Sequence, residues 1–266
     1  MTIENIKTRL KKVKVVALDM DGTIYLGNSI FPFTGSFLNG LTDSGKRFVF
    51  LTNNSSRNAQ DYYLKLREMG LNVEKSQIYT SGDATIEYLN SMKPNAKIYL
   101  MGTENLEEDF RLSGFHLTDT DPDFVVLGFD LTFTYEKLEK ACDLVRQGVP
   151  FIATHPDFNC PVEDGGMIPD CGALSAAITA ATDVLPKVIG KPHQEMLEGI
   201  LNRAKIKKEE LCIVGDRLMT DIKMGQDFGI PSILVLTGEA QLEDLESSDV
   251  VPDLIIEKNI DLLKYL

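Results

Sequence analysis

The chain has 266 residues, 43% of them hydrophobic, so it can bury a full core as one domain with a large insertion or as two domains. Its formal net charge of −13 repels phosphate backbones and anionic lipid headgroups, which argues against binding to nucleic acid or to membranes. No segment resembles a signal peptide or approaches the roughly 18 apolar residues of a membrane helix, so we expect a soluble, cytoplasmic protein.

Short apolar runs alternate along the chain with polar loops and helical patterns, which is typical of an α/β fold with a parallel sheet. The predicted strands are Val13–Leu18, Phe48–Leu51, Ile98–Met101, Phe124–Leu127, Phe151–Ala153, Leu211–Val214 and Ser232–Val235. The predicted helices are Thr34–Asp43, Asn58–Met69, Gly82–Ser91, Tyr135–Gln147, Gly172–Thr182, His193–Ala204 and Thr220–Phe228. We place an inserted domain at residues 81–183, because the candidate chemistry lies before and after it, in residues 1–80 and 184–266.

The first chemical motif, Asp19-Met20-Asp21-Gly22-Thr23, follows the first predicted strand. Residues two apart in a strand point to the same side, so the Asp19 and Asp21 side chains are expected to converge past its carboxyl end. Open α/β sheets bind ligands at that end. Two neighbouring carboxylates repel, which calls for a cation or for separate roles. Phosphoryl transfer offers such roles, since one aspartate can attack phosphorus while the other handles protons.

Three further segments follow or end predicted strands. After the second strand come Thr52, Asn53 and Asn54, whose hydroxyl and amide groups are suitable donors for phosphate oxygens. Lys191 follows Gly190 and precedes a predicted helix whose first turn tolerates proline. The last segment, Val214-Gly215-Asp216-Arg217-Leu218-Met219-Thr220-Asp221, again reads as strand, turn and helix.

These four segments, in this order, resemble motifs I to IV of the haloacid-dehalogenase-like hydrolase superfamily. The motif sequences are most similar to those of its NagD-like, nitrophenylphosphatase branch; they read DMDGT, LTNNSS, GKP and GDRLMTDI. The resemblance covers nearly the whole chain and implies a Rossmann-like parallel-sheet core with a large inserted α/β cap of the C2 type. It includes Ala153–Asp157, where the branch usually reads Thr-Asn-x-Asp; His155 stands in place of that asparagine, which bears on the choice of substrate.

The resemblance implies a role for each matching residue. Asp19 is similar to the nucleophile that forms an aspartyl-phosphate, and Asp21 to the acid/base that protonates the departing alcohol and later activates water. Thr52 and Lys191 resemble the groups that hold the phosphoryl oxygens, with Asn53 as an extra amide donor.

The resemblance also implies a Mg²⁺ site. Its ligands would be the Asp19 and Asp216 carboxylates and the Asp21 backbone carbonyl, with Asp221 as a ligand or an adjacent carboxylate. His155 and Asp157 are candidates for contact with the non-phosphate part of the substrate. Mg²⁺ prefers hard oxygen ligands and would screen Asp19 from an anionic substrate.

We therefore expect a magnesium-dependent phosphatase that hydrolyses a small phosphomonoester. If the protein forms a homo-oligomer, we expect the cap to provide the contact. Sugar phosphates, nucleoside monophosphates, phosphoglycolate and glycerol phosphates are all open as substrates. Two alternatives use the same site: a non-catalytic protein that binds phosphorylated metabolites, and a phosphotransferase or mutase in which another hydroxyl accepts the phosphoryl group.

Overall fold

A computed structural model of the chain describes residues 3–162 and 166–266. Each strand and helix predicted from the sequence has a counterpart in it, and several ends differ by a few residues. The strands are β1 (Val15–Leu18), β2 (Tyr25–Leu26), β3 (Ser29–Ile30), β4 (Arg47–Thr52), β5 (Ile78–Thr80), β6 (Lys97–Met101), β7 (His116–Leu117), β8 (Phe124–Leu127), β9 (Phe151–Ala153), β10 (Asn159–Pro161), β11 (Met167–Pro169), β12 (Lys187–Val188), β13 (Leu211–Gly215), β14 (Ser232–Val235) and β15 (Leu254–Ile256).

The helices cover most of the segments between these strands. They are α1 (Ile3–Leu10), α2 (Thr34–Asp43), α3 (Ala59–Glu68), α4 (Ser81–Met92), α5 (Glu104–Leu112), α6 (Tyr135–Arg146), α7 (Cys171–Thr182), α8 (Gln194–Ala204) and α9 (Lys223–Phe228). Most of the last predicted helix is α9, but its first turn, Leu218–Ile222, is π-helical. Single π-helical turns are frequent at functional sites, and this one carries Asp221.

The chain divides into two compact units. Unit 1 comprises the residues up to Leu51, Tyr63–Tyr79 and Ile200–Leu266, and unit 2 comprises Thr52–Tyr62 and Thr80–Gly199. The inserted domain predicted at residues 81–183 stays a prediction.

Unit 1 is built on a six-stranded sheet in the order β15-β14-β13-β1-β4-β5, of which the last residues of β4 and β5, Thr52 and Thr80, are assigned to unit 2. The central strand β1 pairs in parallel with both β13 and β4. All four residues of β1 are buried, as expected for an inner strand of a parallel sheet that is covered on both faces. The chain leaves β1 toward β4 and returns later to β13, so β1 and β13 form a switch point where such sheets bind ligands.

Unit 2 contains a five-stranded parallel sheet in the order β12-β9-β8-β6-β7. Its core packs β8 and β9 against α6 and α7, with Leu127, Ala141, Val145 and Ile178 among the buried residues. With parallel sheets and helices in both units, the predicted α/β fold class is confirmed.

Among the described residues, no helix combines the length and the apolar character that a membrane crossing requires. Cys142, Cys160, Cys171 and Cys212 are all free, and only Cys160 is partly exposed.

Candidate functional site

Three carboxylates come together in unit 1. Asp19 directly follows β1, Asp216 directly follows the neighbouring strand β13, and Asp221 lies in the π-helical turn after it. One oxygen from each of the three carboxylates lies within 4.8 Å of the other two. Asp216 and Asp221 are buried, and Asp19 is half-buried. The fold therefore brings together two residues predicted as metal ligands and adds Asp221, whose part the sequence left open.

Backbone groups hold this cluster in place. The Asp19 N–H extends the β1–β13 pairing by donating to the Val214 carbonyl at 2.9 Å. One Asp216 oxygen, Oδ2, accepts from the Glu239 N–H at 2.7 Å. The Arg217 N–H donates to the Asp221 carboxylate at 3.3 Å. The Thr23 hydroxyl donates to the other Asp216 oxygen, Oδ1, at 3.4 Å.

The electrostatics of the cluster favour a bound cation. Burial raises the pKa of Asp216 well above its ordinary value, and the charges of Asp19 and Asp221 raise it further, although the Glu239 N–H and Arg217 act in the opposite direction. Carboxylates this close stay ionised together only where positive charge compensates them. A donor set made of oxygen alone fits a hard divalent cation such as Mg²⁺, so the residues present fit the expected metal.

Glycines make room for the carboxylates of this cluster. A Cβ added at Gly22 would lie 2.2 Å from Asp216 Oδ2, and one added at Gly238 would lie 2.0 Å from the same atom. A Cβ at Gly215 would lie 2.2 Å from the carboxyl carbon of Asp221. No real side chain tolerates such distances, so each position requires glycine if the carboxylates are to keep their places.

We expect Gly22→Ala to weaken both folding and cation binding. Gly22 has φ +82°, where an L-residue costs about 1–2 kcal/mol, and its new methyl group would also displace Asp216. Gly45→Ala is the matched control, since Gly45 has φ +72° with no atom within 4 Å of the added Cβ. Urea unfolding should show a larger loss for Gly22→Ala, and a Mg²⁺ titration of activity should shift in that variant alone. Equal losses with unchanged Mg²⁺ response would contradict this prediction.

Asp21 lies apart from the carboxylate cluster. Its side chain is exposed, and its Oδ1 accepts from the Gly27 N–H at 3.4 Å. In residues 3–162 and 166–266, the carboxylates that gather around Asp19 do not include that of Asp21. An exposed carboxyl group can exchange protons with water, which suits an acid/base. Its predicted backbone-carbonyl contribution to the metal stays a prediction.

The predicted phosphate-binding residues at the end of β4 and directly after it belong to unit 2. Thr52 and Asn53 are buried, and Asn54 is half-buried. The Thr52 hydroxyl oxygen accepts from the Asn54 N–H at 3.2 Å, which leaves its own hydrogen available to a phosphate oxygen. Asn54 Oδ1 accepts from both the N–H and the hydroxyl of Ser56, at 2.9 and 2.7 Å. These bonds turn the chain after β4, well before α3 begins at Ala59.

Lys191 lies in a tight turn before α8. The His193 N–H donates to the Gly190 carbonyl at 2.9 Å, and α8 begins only at Gln194. The prediction that the helix begins at His193, with Pro192 in its first turn, is therefore wrong, because the proline belongs to this turn. The Lys191 side chain is 2% exposed. Lysine is almost never so buried unless its ammonium is paired. Lys191 is therefore not an ordinary surface charge.

The side chains of His155 and Asp157 both make hydrogen bonds within unit 2. The His155 ring is fully buried (0% exposed), with Nδ1 2.9 Å from Thr154 Oγ1 and Nε2 2.9 Å from Asp170 Oδ1. Both ring nitrogens have partners inside unit 2, and the predicted contact of His155 with substrate stays a prediction. Asp157 is half-buried, and its Oδ2 accepts from the side-chain amide of Asn53 at 3.1 Å.

Asn53 likewise uses its side chain within the protein. Its Oδ1 accepts from the Lys191 N–H at 2.8 Å, and its Nδ2 donates to the Lys191 carbonyl at 3.0 Å as well as to Asp157. Both amide hydrogens are therefore engaged, and the prediction that this side chain is an extra donor to the phosphate is not supported. Its engagement with the Lys191 backbone was not predicted from the sequence.

Comparison with known proteins identifies the family. A family model described as haloacid dehalogenase-like hydrolase matches residues 16–116, and a second one, described as HAD-hydrolase-like, matches residues 188–262. The two matches contain all four motifs and together span most of the chain. This chain belongs to the haloacid dehalogenase-like hydrolases.

Relatives within the haloacid dehalogenase-like family are phosphatases by name. The acid sugar phosphatase of Staphylococcus aureus is 34% identical over 91% of this chain and 94% of its own. The crystal structure of a 4-nitrophenylphosphatase from Thermotoga maritima has a TM-score of 0.93 at 47% identity, over 96% of this chain and 98% of that one. NagD from E. coli K-12 has a TM-score of 0.87 at 35% identity, over 94% and 98%. The predicted branch and the predicted class, phosphoric monoester hydrolases, are confirmed.

Sequence reasoning missed two residues of this family member that the structure places beside the predicted ones. Asp170 binds His155 and also caps α7 by accepting from the Cys171 N–H at 2.6 Å. Glu239 supplies the N–H that binds Asp216. An aspartate directly before a helical pattern is a helix-cap signal that the sequence does contain. The contact of Glu239 is a backbone contact, which no side-chain pattern announces.

Proposed function

We propose that this protein is a magnesium-dependent phosphatase that hydrolyses a small phosphorylated metabolite through an aspartyl-phosphate on Asp19. The observation that carries the proposal is the convergence of Asp19, Asp216 and Asp221 at the switch point of a parallel sheet. A phosphatase needs a cation beside its nucleophile because the attacking carboxylate and the substrate are both anions.

The proposed reaction has two steps. In the first, an Asp19 carboxylate oxygen forms a bond to phosphorus while the bond from phosphorus to the substrate oxygen breaks, and Asp21 gives its proton to that oxygen. In the second, Asp21 takes a proton from water, whose oxygen bonds to phosphorus as the Asp19 oxygen leaves. Inorganic phosphate is released, and both aspartates return to their starting states.

The groups predicted as phosphate donors would hold the phosphoryl oxygens during both steps. The hydroxyl hydrogen of Thr52 and the buried ammonium of Lys191 are the proposed donors. The Asn53 side chain is engaged elsewhere. Such preorganised donors supply much of the barrier reduction in phosphoryl transfer.

Asp19, Asp216 and Asp221 would hold Mg²⁺, with the Asp21 backbone carbonyl as a further proposed ligand. When bound, the cation neutralises charge on the phosphoryl group and on Asp19. The burial of Asp216 and Asp221 keeps this charge compensation away from bulk water, where it would be screened.

We propose sugar phosphates as the first substrates to test, because a relative of nearly the same length is named an acid sugar phosphatase. Nucleoside monophosphates, phosphoglycolate and glycerol phosphates belong in the same screen. The net charge of −13 disfavours polynucleotide and membrane-bound substrates. A cytoplasmic location agrees with four free cysteines, which a reducing compartment would preserve. Pairing of two chains through the cap remains a proposal.

Turnover of nitrophenyl phosphate, with Mg²⁺ and with excess chelator, tests the proposal. We expect release of inorganic phosphate that depends on Mg²⁺. Binding of phosphorylated metabolites without turnover would favour the non-catalytic alternative. Addition of acceptor alcohols separates the phosphotransferase alternative, which would yield transfer product in place of inorganic phosphate.

We expect Asp21→Asn to slow poor leaving groups far more than good ones. Without a proton donor, a sugar alcohol must leave as an alkoxide, whereas nitrophenolate leaves readily without help; general acid catalysis contributes about 10²–10⁴-fold. The measurement is kcat for nitrophenyl phosphate and for the best sugar phosphate, in both proteins. Equal losses for the two substrates would count against the acid role of Asp21.

A further inference from the structure

The backbone of Lys191 is held from both ends by one side chain. Asn53 Oδ1 accepts from the Lys191 N–H at 2.8 Å, and Asn53 Nδ2 donates to the Lys191 carbonyl at 3.0 Å. Two bonds to a single residue fix both the place and the orientation of its peptide groups. The buried position of the Lys191 ammonium therefore depends on how the Asn53 amide is turned.

A carboxylate determines that orientation. Asn53 Nδ2 also donates to Asp157 Oδ2 at 3.1 Å, and an ionised carboxylate can only accept hydrogen bonds. If the amide were reversed, its oxygen would face the Asp157 carboxylate and its NH₂ group would face the Lys191 N–H. Both contacts would then be repulsive. Asp157 thus selects the one amide orientation that binds Lys191.

The segment that carries Asp157 is itself firmly held. The Gly172 N–H donates to the Asp157 carbonyl at 2.7 Å, and the Gly190 N–H donates to the Thr154 carbonyl at 2.7 Å. Between these two points the His155 ring is held by Asp170 and by the Thr154 hydroxyl. The chain approaches so closely that a Cβ added at Gly190 would lie 2.7 Å from both the Thr154 carbonyl oxygen and Asn53 Oδ1.

Hydrogen bonds connect the buried side chains of this support. His155 Nε2 lies 2.9 Å from Asp170 Oδ1, and His155 Nδ1 lies 2.9 Å from Thr154 Oγ1. Thr154 Oγ1 in turn lies 3.0 Å from the hydroxyl of Ser55 and 3.7 Å from Cys171 Sγ. A fully satisfied buried network of this kind is rigid, so Asp157 is presented from a stable support.

We propose that Asp157 is a positioning residue for phosphate binding, which acts through the Asn53 amide on Lys191. The proposal rests on the proposed role of Lys191 in holding the phosphoryl oxygens. It replaces the sequence-based expectation that Asp157 contacts the organic part of the substrate. The two roles differ in their consequences, since a positioning residue affects every phosphate ligand alike.

We expect Asp157→Ala to lower kcat/KM by about 10- to 100-fold, the effect of a displaced catalytic group. The factor should be the same for nitrophenyl phosphate and for a sugar phosphate. Affinity for inorganic phosphate, measured by calorimetry, should fall as well, although this ligand has no organic part. Asp157→Asn, which keeps an oxygen that can accept from Asn53, should recover most of the loss.

A double-mutant cycle tests the route through Asn53. If Asp157 acts only by orienting that amide, then Asp157→Ala should have little further effect on kcat/KM in the Asn53→Ala background. Asp143→Ala is the matched control, because Asp143 is an exposed aspartate of the same unit that pairs with Arg146, at 3.1 Å, three residues along α6. Asp143→Ala should leave kcat/KM unchanged.

Three results would overturn the proposal: a loss that depends on the organic part of the substrate, additive losses in the cycle, or unchanged phosphate affinity in Asp157→Ala. Thermal unfolding of each variant identifies a general loss of structure, and Asp157→Asn then provides the comparison in a folded protein. Calorimetry with inorganic phosphate needs no turnover. If wild-type protein bound phosphate but hydrolysed no ester, the proposed function would fail while the positioning role would still be decided.

Discussion

Asp19→Asn is expected to lower kcat for nitrophenyl phosphate by about 10⁴-fold or more, because an amide does not form the covalent bond to phosphorus. The loss should be accompanied by loss of the phosphorylated protein. Intact-mass spectrometry after rapid acid quenching should detect phosphorylated wild-type protein during turnover and none in the variant. Asp43→Asn is the matched control, since Asp43 is an exposed aspartate of the same unit at the end of α2, and it should be fully active.

The same variant, Asp19→Asn, loses activity but is expected to be at least as stable as wild type when no Mg²⁺ is bound. Asp19 is one of the charges that raise the pKa of Asp216, so its removal lowers the repulsion within the folded, metal-free protein. Without Mg²⁺, the free energy of unfolding at neutral pH should therefore equal or exceed that of the wild type. Activity that survives in Asp19→Asn would exclude the covalent route. A metal-free variant clearly less stable than wild type would contradict the repulsion argument.

Lys191→Met is expected to abolish measurable turnover without unfolding the protein. Methionine fills similar space but has no charge to offer the phosphoryl oxygens, and loss of one such group costs about 10²–10³-fold or more in rate. Affinity for inorganic phosphate, measured by calorimetry, should fall as well, and this measurement needs no turnover. Circular dichroism would establish that the variant is folded.

Lys97→Met is the matched control for this substitution. Lys97 lies in β6 and pairs with Asp121 at 3.6 Å, and both side chains of this pair are at least half exposed. Exposed pairs of this kind contribute only about 0.2–1 kcal/mol, so the control should be nearly as stable and as active as wild type. Near-native rates in Lys191→Met would remove Lys191 from the proposed site.

The strands and helices predicted from the sequence contain enough apolar residues to form a recognisable pattern, either a continuous run or a helical spacing. β8, β9 and β14 have the predicted ends because each is a short, continuous apolar run. Helix α5 was missed, since only Leu106 and Phe110 are buried in a segment rich in Glu and Asp. The hairpin of β2 and β3 and the edge strand β12 were also missed, because two residues are too few to form a pattern.

Some residues of the candidate site could likewise be found from the sequence, and the contacts of others could not. Asp19 and Asp216 could be found because each directly follows a recognisable strand, and neighbouring parallel strands place their carboxyl ends together. The roles of His155 and Asn53 could not be found, since a ring or an amide looks the same in sequence whether it faces substrate or a buried partner. Their contacts join residues 53, 157 and 191, which are distant in the chain.

The sequence by itself determined the α/β fold class, the family and two carboxylates of the candidate metal site, Asp19 and Asp216, because periodicity and motif order are local properties of the chain. Only the tertiary structure decided that Asp221 joins Asp19 and Asp216, that His155 is enclosed, and that Asp157 accepts a hydrogen bond from the Asn53 amide. These outcomes depend on burial and on the direction of hydrogen bonds between distant segments. Both come into existence only when the chain folds.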